Sequence, residues 1–271
     1  MSKGFRLLRV EYIFSVLIPC LLCIYFNNYN PIDHIWILAG FSFYAITGNT
    51  LNDAIDMKNP SEKETLERVK GYQRKEILVL SLASFVLGTI CFWNVFIYNP
   101  LVLLYLVIII ALVVFYCMFK SLVIINQIIL GVSHIFLPWF LIKVNAGAII
   151  LNIFPALSIF EWLILAAVAS VAFTGQMLHE LIDGDSLSKL TPKKAQIVIW
   201  ITCIISLIIG IGSILITQDL LFLPIIIFPI GILYIFRKPR DNLLGRTSLK
   251  DTGIILGNLV LVYVIILVIT P

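Results

Sequence analysis

The chain alternates apolar blocks long enough to cross a bilayer with loops too short to fold by themselves. Such blocks fall at about 12–26, 35–51, 77–97, 101–119, 122–142, 159–179, 196–216, 219–236 and 252–270 of 271 residues. A spanning helix takes roughly 20 apolar residues. The shorter blocks fit tilted helices, or helices prolonged by polar residues into a cavity. Hydrophobic residues make up 61% of the chain and charged residues 13%, against about 45–50% and about 25% in soluble domains. Too little polar surface remains to coat a water-soluble body. This excludes a soluble enzyme, a nucleic-acid reader and a disulfide scaffold. It predicts an all-α integral membrane protein, one polytopic domain over 1–271 with nine transmembrane helices.

Charge sets the expected orientation, because cytoplasmic loops retain Lys and Arg. Of 19 basic residues, all but Lys143 fall at the N-terminus or in the loops after the second, fourth, sixth and eighth blocks. The N-terminus is therefore expected in the cytoplasm and the C-terminus on the opposite side. The net charge of +4 then faces cytosol and lipid headgroups, and no nucleic-acid partner need be invoked. Lys3, Arg6 and Arg9 before the first block resemble a signal peptide, yet no small-residue cleavage site follows. That block reads as a retained helix. Cys20, Cys23, Cys91, Cys117 and Cys203 all lie in apolar stretches, and the Cys20/Cys23 spacing lacks the partners of a zinc site. Packing is their expected role.

Two polar stripes interrupt the apolar pattern. The second block ends in Asn49, Asn52, Asp53 and Asp56, and the sixth in Gln176, His179, Glu180 and Asp183. Spacings of three and four residues put each set on one helix face. Both open toward the expected cytoplasmic side. A carboxylate near a helix centre costs about 2.5–3.5 kcal/mol on insertion scales, so two such clusters at one depth call for a positive partner. Hard oxygen ligands suit Mg²⁺, which is commonly held by one or two carboxylates plus substrate phosphates. Arg68 and Lys70 follow the first stripe and Lys189 the second. This pattern can clamp a metal-bound diphosphate. Solvated helix ends are the plainer reading of either stripe alone. Ser133 and His134 are expected in interhelical hydrogen bonds, and Glu161 as an outer interfacial cap. Glu62, Glu64, Glu67 and Glu76 are expected on a solvated helical surface.

These residues resemble a known family. Asn52-Asp53-x-x-Asp56 at the end of the second helix is similar to the first aspartate motif of the UbiA superfamily of intramembrane prenyltransferases. Glu67 to Glu76 resembles the segment leading into the third helix. Tyr116-x-x-x-Lys120, with Asn126 and Gly131, resembles the passage from the fourth helix to the fifth. His179 to Asp185, with Thr191-Pro192, resembles the second motif and its exit. The likeness runs over roughly residues 9–265. Two positions depart from it: Pro60 stands where the first motif usually has its last aspartate, and Leu187 where the second often has another, with Asp185 the nearest acid.

The resemblance implies a nine-helix bundle with a central cavity, capped on the cytoplasmic side and open sideways to lipid. It implies Mg²⁺-assisted transfer of a polyprenyl group from an allylic diphosphate to a small aromatic or lipid acceptor. Metal would be held by Asp53, Asp56, Glu180, Asp183 and Asp185. Asn49, Asn52, Arg68, Lys70, Tyr116, Lys120, Asn126, Gln176, His179 and Lys189 would bind substrate. Two other readings stay open, a non-catalytic lipid-binding relative and a small membrane transporter. The second is less well matched, because the polar stripes lie at one face and no repeated halves are evident.

Overall fold

The computed structural model describes residues 7–58, 60, 63–118, 125–150, 153–183, 190–218, 223–240 and 247–270. Its helices are α1 (Phe14–Phe26), α2 (Ile35–Asp56), the short α3 (Lys63–Arg68), α4 (Arg74–Phe96), α5 (Pro100–Met118) and α6 (Ile125–Asn145). Then come α7 (Ile159–Asp183), α8 (Pro192–Thr217), α9 (Pro224–Ile235) and α10 (Thr247–Ile269). Between α6 and α7, Ile149–Ile150 and Phe154–Pro155 pair as two short antiparallel segments.

Six of these helices (α4, α5, α6, α7, α8 and α10) are long and apolar enough to cross a membrane. Helix α1 and α9 are apolar but shorter, and each carries an internal proline, Pro19 and Pro229. Polar residues along α2, among them Asn49, Asn52 and Asp53, dilute its apolar character. The chain is thus a multi-pass integral membrane protein of bundled helices.

Packing turns the usual pattern of a soluble protein outward. On α8 the buried positions include Ala195, Cys203, Ser206, Gly210 and Ser213, while Ile201, Ile204, Ile205 and Ile208 stand exposed. On α4 Ser81, Ser84 and Gly88 point inward, while Leu82, Ile90 and Trp93 point out. Lipid solvates large aliphatic side chains as well as a protein core does, so helices meet through small residues that let their backbones approach. The pairing of α2 with α4, the most extensive in the bundle, shows this. A Cβ on Gly88 would lie 2.5 Å from the Tyr44 ring, and one on Gly40 2.6 Å from Phe92. Around those glycines Phe92 stacks on Phe96, meets Phe41 edge to face and lies tilted against Tyr44. Gly257 of α10 receives Phe14 of α1 in the same way, at 2.5 Å.

Polar groups concentrate at the two ends of the bundle. At the end away from the motifs, buried Lys143 of α6 meets buried Glu161 of α7 at 3.0 Å. Asn27 donates to Glu161 at 3.0 Å and accepts from Lys143 at 2.7 Å. Ser158 N–H donates to Glu161 at 2.8 Å, and Glu161 N–H to the Ser158 hydroxyl at 3.2 Å. Glu161 is thus a helix cap and also the counter-charge of Lys143, the one base expected on that side. All five cysteines are free and buried.

Candidate active site

A cavity of about 1450 Å³ lies among the helices and reaches the motif end of the bundle. Below the mouth its walls are apolar, with Ile18, Leu22, Phe41, Val113, Phe136 and Val264 among them. Polar side chains gather at the mouth. Asn49, Asn52 and Asp56 of α2 line it, as do Gln176, His179 and Glu180 of α7, Tyr116 of α5 and Asn126 of α6. The two stripes therefore face one space. Each sits on the last turns of a long helix, which the bundle holds at a common depth.

Asp53 departs from its stripe. It is fully buried, does not line the cavity, and is gripped from α3 by Arg68. The Arg68 Nη2 donates to Oδ1 at 2.8 Å and Nε to Oδ2 at 2.9 Å. Arg9 Nη1 adds a second cation 3.5 Å from Oδ1. Burial alone would lower the Arg68 pKa, but the hydrogen bonds and charge of Asp53 outweigh it and hold the guanidinium above its ordinary value. Helical spacing does not set Asp53 apart, since it lies four residues from Asn49 and three from Asp56. The tertiary fold does, by laying the guanidinium groups of Arg68 and Arg9 against its carboxylate.

Asn52 and Asp56 form the part of the site best suited to a metal. Asn52 Nδ2 donates to Asp56 Oδ2 at 3.0 Å, and Asn52 Oδ1 is buried with no hydrogen-bond partner among the described residues. An orphan acceptor oxygen beside a buried carboxylate is costly in apolar surroundings and suits a hard cation. Across the mouth, buried Glu180 accepts from the amide of buried Gln127 on α6. Among the described residues, no three His, Cys, Asp or Glu side chains converge as a metal cage. That spread suits Mg²⁺ held jointly by protein oxygens and substrate phosphates.

Several expectations need adjusting. Lys70 is exposed and lies off the cavity lining. Among the described residues, Ser133 and His134 make no bond across helices: they pair with each other at 2.8 Å, and Ser133 donates to the Leu130 carbonyl of its own helix at 3.4 Å. Both belong to the π-helical turn Val132–Phe136 in the middle of α6 and line the cavity. Glu64 is not merely solvated, since it lines the mouth and pairs with two bases, Arg68 at 3.4 Å and Lys250 of α10 at 2.9 Å. Glu67 and Glu76 are exposed as expected. Lys120, Asp185 and Lys189 lie outside the described residues, as do Glu62, Leu187 and the side chain of Asp183.

Four mouth residues escaped the sequence reading as site residues: Arg9, Glu64, Gln127 and Lys250. Three were absorbed into the charge pattern of the loops. Gln127 carries no signal beyond its place next to Asn126. Arg9 has one structural mark, a left-handed backbone with φ of 49°, uncommon outside glycine. This turns its guanidinium onto the Tyr12 ring, 4.4 Å away, and toward Asp53.

Comparison with known proteins identifies the fold and the family. No curated protein matches the sequence. Among solved structures, a UbiA homolog from Archaeoglobus fulgidus bound to GPP and Mg²⁺ superposes with a TM-score of 0.71 at 17% identity, covering 98% of this chain and 99% of that one. A structure of a UbiA homolog from the same organism bound to DMAPP and Mg²⁺ gives 0.69 at 16% identity, with both chains fully covered. At this identity the likeness establishes the fold. The profile of the UbiA prenyltransferase family matches residues 16–188, which include both motifs and most of the bundle, and the chain belongs to that family.

Proposed function

We propose that the chain catalyses Mg²⁺-dependent transfer of a polyprenyl group from an allylic diphosphate to a membrane-associated acceptor, a quinone precursor or another lipid-pathway nucleophile. The observation that carries this reading is the shared mouth. Asn52 and Asp56 from one helix and Glu180 from another face a single cavity whose deeper walls are apolar. A donor with a charged head and a long hydrocarbon tail matches that division. The A. fulgidus homologs that share the fold hold GPP or DMAPP with Mg²⁺.

Asn52, Asp56 and Glu180 would hold Mg²⁺ directly, with Asp53 joining them once Arg68 turns to the diphosphate. Asp183 and Asp185 complete the proposed ligand set, and Lys120 and Lys189 the proposed bases. The metal supplies charge neutralisation for the departing diphosphate. The chain does the rest. Gln127 fixes Glu180. Arg68 can give a phosphate the same two-pronged grip it now gives Asp53. The apolar walls keep water from the electron-poor allylic carbon until the acceptor captures it.

We further propose nine spans in one domain, with the motif end and N-terminus in the cytoplasm and the C-terminus opposite. The described basic residues of the loops support this, since Lys143 alone among them sits at the far end. The test is a radiolabelled allylic diphosphate assay in membranes with a panel of acceptors. Wild type should form lipid-soluble product that chelation of Mg²⁺ abolishes. Asp56→Ala or Glu180→Ala should lower the rate about a hundredfold or more. Metal-dependent binding without turnover on any acceptor would instead identify a lipid-binding relative.

A further inference from the structure

The final helix carries a base that neither aspartate motif contains. Lys250, near the start of α10, has a side chain only 7% exposed and lines the mouth of the cavity. Its Nζ lies 2.9 Å from Glu64 Oε2, while Arg68 Nη1 lies 3.4 Å from Glu64 Oε1. Charges therefore alternate across the mouth in the order Arg9, Asp53, Arg68, Glu64, Lys250. Two bases from separate helices converge on one carboxylate.

Helix stability does not explain this lysine. A cation in the first turns of a helix opposes the macrodipole, and burying the ammonium costs it hydration. The carboxylate, by contrast, is reached by water: Glu64 is 46% exposed, so solvent screens its ion pairs and can hydrate it when it is released. A buried base is thus matched to an anion that can move out to solvent. A phosphate carries more charge and more acceptor oxygens than a carboxylate, and can reach both Nζ and Nη1 from the position Glu64 now takes.

We propose that Lys250 is a phosphate-binding base for the donor diphosphate, held on Glu64 until the donor arrives. Donor entry exchanges Glu64 for phosphate on both Lys250 and Arg68, so α10 closes the site together with α2, α3 and α7. This rests on the prenyl-diphosphate reading of the site. It extends that site to a helix beyond residues 16–188, the stretch that matches the family profile.

The experiment measures equilibrium binding of an unreactive allylic thiodiphosphate, and separately of inorganic diphosphate. Full-length protein in lipid nanodiscs is used with Mg²⁺ present, and thermal stability is followed in parallel. Wild type should bind both probes. Lys250→Met should weaken both on the order of tenfold or more, the scale of one charge-assisted hydrogen bond. Glu64→Gln should bind as tightly as wild type or more tightly, because the competing anion is gone. The exchange Glu64→Lys with Lys250→Glu should restore stability through a reversed ion pair but leave binding weak.

Unchanged binding in Lys250→Met would overturn the assignment, as would full recovery of binding in the exchanged pair, which would make Lys250 a latch only. Loss confined to the allylic probe would overturn it too, by placing Lys250 on the hydrocarbon tail. Looser binding in Glu64→Gln counts against it independently, even if Lys250→Met fails to fold. Absence of any binding by wild type would be a different failure, that of the donor reading itself.

Discussion

Arg68 links the chemistry of the mouth to the stability of the bundle. A basic residue in a loop usually costs little to replace, but the side chain of Asp53 beneath it has no solvent exposure and that of Arg68 only 14%. Removing one partner of a buried pair typically costs about 3–5 kcal/mol. Arg68→Ala should lower the thermal midpoint in detergent clearly, and Asp53→Asn combined with Arg68→Ala should recover part of the loss. Simple additivity of the two changes would show that the pair is not a buried unit. Arg68→Lys should rescue only in part, since the two-pronged contact is lost. Gln127 acts at the same scale. Gln127→Leu would leave Glu180 without its amide donor, and should reduce turnover while donor binding falls less.

At the far end, His34 is buried and its Nδ1 faces the Asn145 amide at 3.0 Å. Burial lowers its pKa below 6.5, only partly opposed by Asp33. The folded state therefore resists a proton that the unfolded chain accepts. Stability should be full above about pH 6.5 and decline as the pH falls from there toward the depressed folded value. His34→Gln should flatten that slope in thermal unfolding followed between pH 5 and 7, values chosen to bracket the window.

Among the elements, the α2–α4 interface carries the tightest constraint. It positions the first motif, because α2 reaches the mouth only after crossing the bundle against α4. Gly88→Val would drive a side chain into Tyr44, which also bonds Thr89 at 3.0 Å. Overpacking of this kind costs about 1–3 kcal/mol. The variant should be less stable, and its Asp56-dependent activity should fall with it. Gly212→Ala on α8, where nothing lies within 4 Å, should be neutral or slightly stabilising through helix propensity. Equal losses in both would mean that glycine is needed for backbone flexibility and not for close approach. The π-helical turn in α6 works locally too. It interrupts the regular helix where Ser133 and His134 enter the cavity wall, so their hydroxyl and imidazole satisfy each other and the Leu130 carbonyl within one element.

For the whole molecule, orientation is open to a direct test that needs no substrate. All five native cysteines are buried, so added cysteines report their own surroundings. Lys75→Cys, at an exposed position on the motif end, should be labelled only from the cytoplasm. Tyr98→Cys, where the native side chain is 87% exposed at the far end, should be labelled from outside. The reverse pattern would place the site on the other face and overturn the proposed topology.

Much of this architecture is legible in the residues because a bilayer imposes strict local rules. Backbone polar groups must be satisfied within each span, so apolar blocks announce helices. Helical spacing also placed Asn49, Asn52 and Asp56 on one face, and Gln176, His179 and Glu180 on another. Periodicity within a helix cannot say which neighbour a face meets. That is why Asp53, four residues from Asn49 and three from Asp56, shares their face by spacing, while only the tertiary fold lays Arg68 on it. It is also why Arg9, Glu64, Gln127 and Lys250 went unseen. They come from four separate segments, and only the packing of α3 and α10 over the ends of α2 and α7 brings them together. The sequence by itself determined which residues are too polar for lipid and at which depth they lie. The tertiary structure decided their partners, because a buried charge takes the counter-charge that folding brings within reach, however distant it is along the chain.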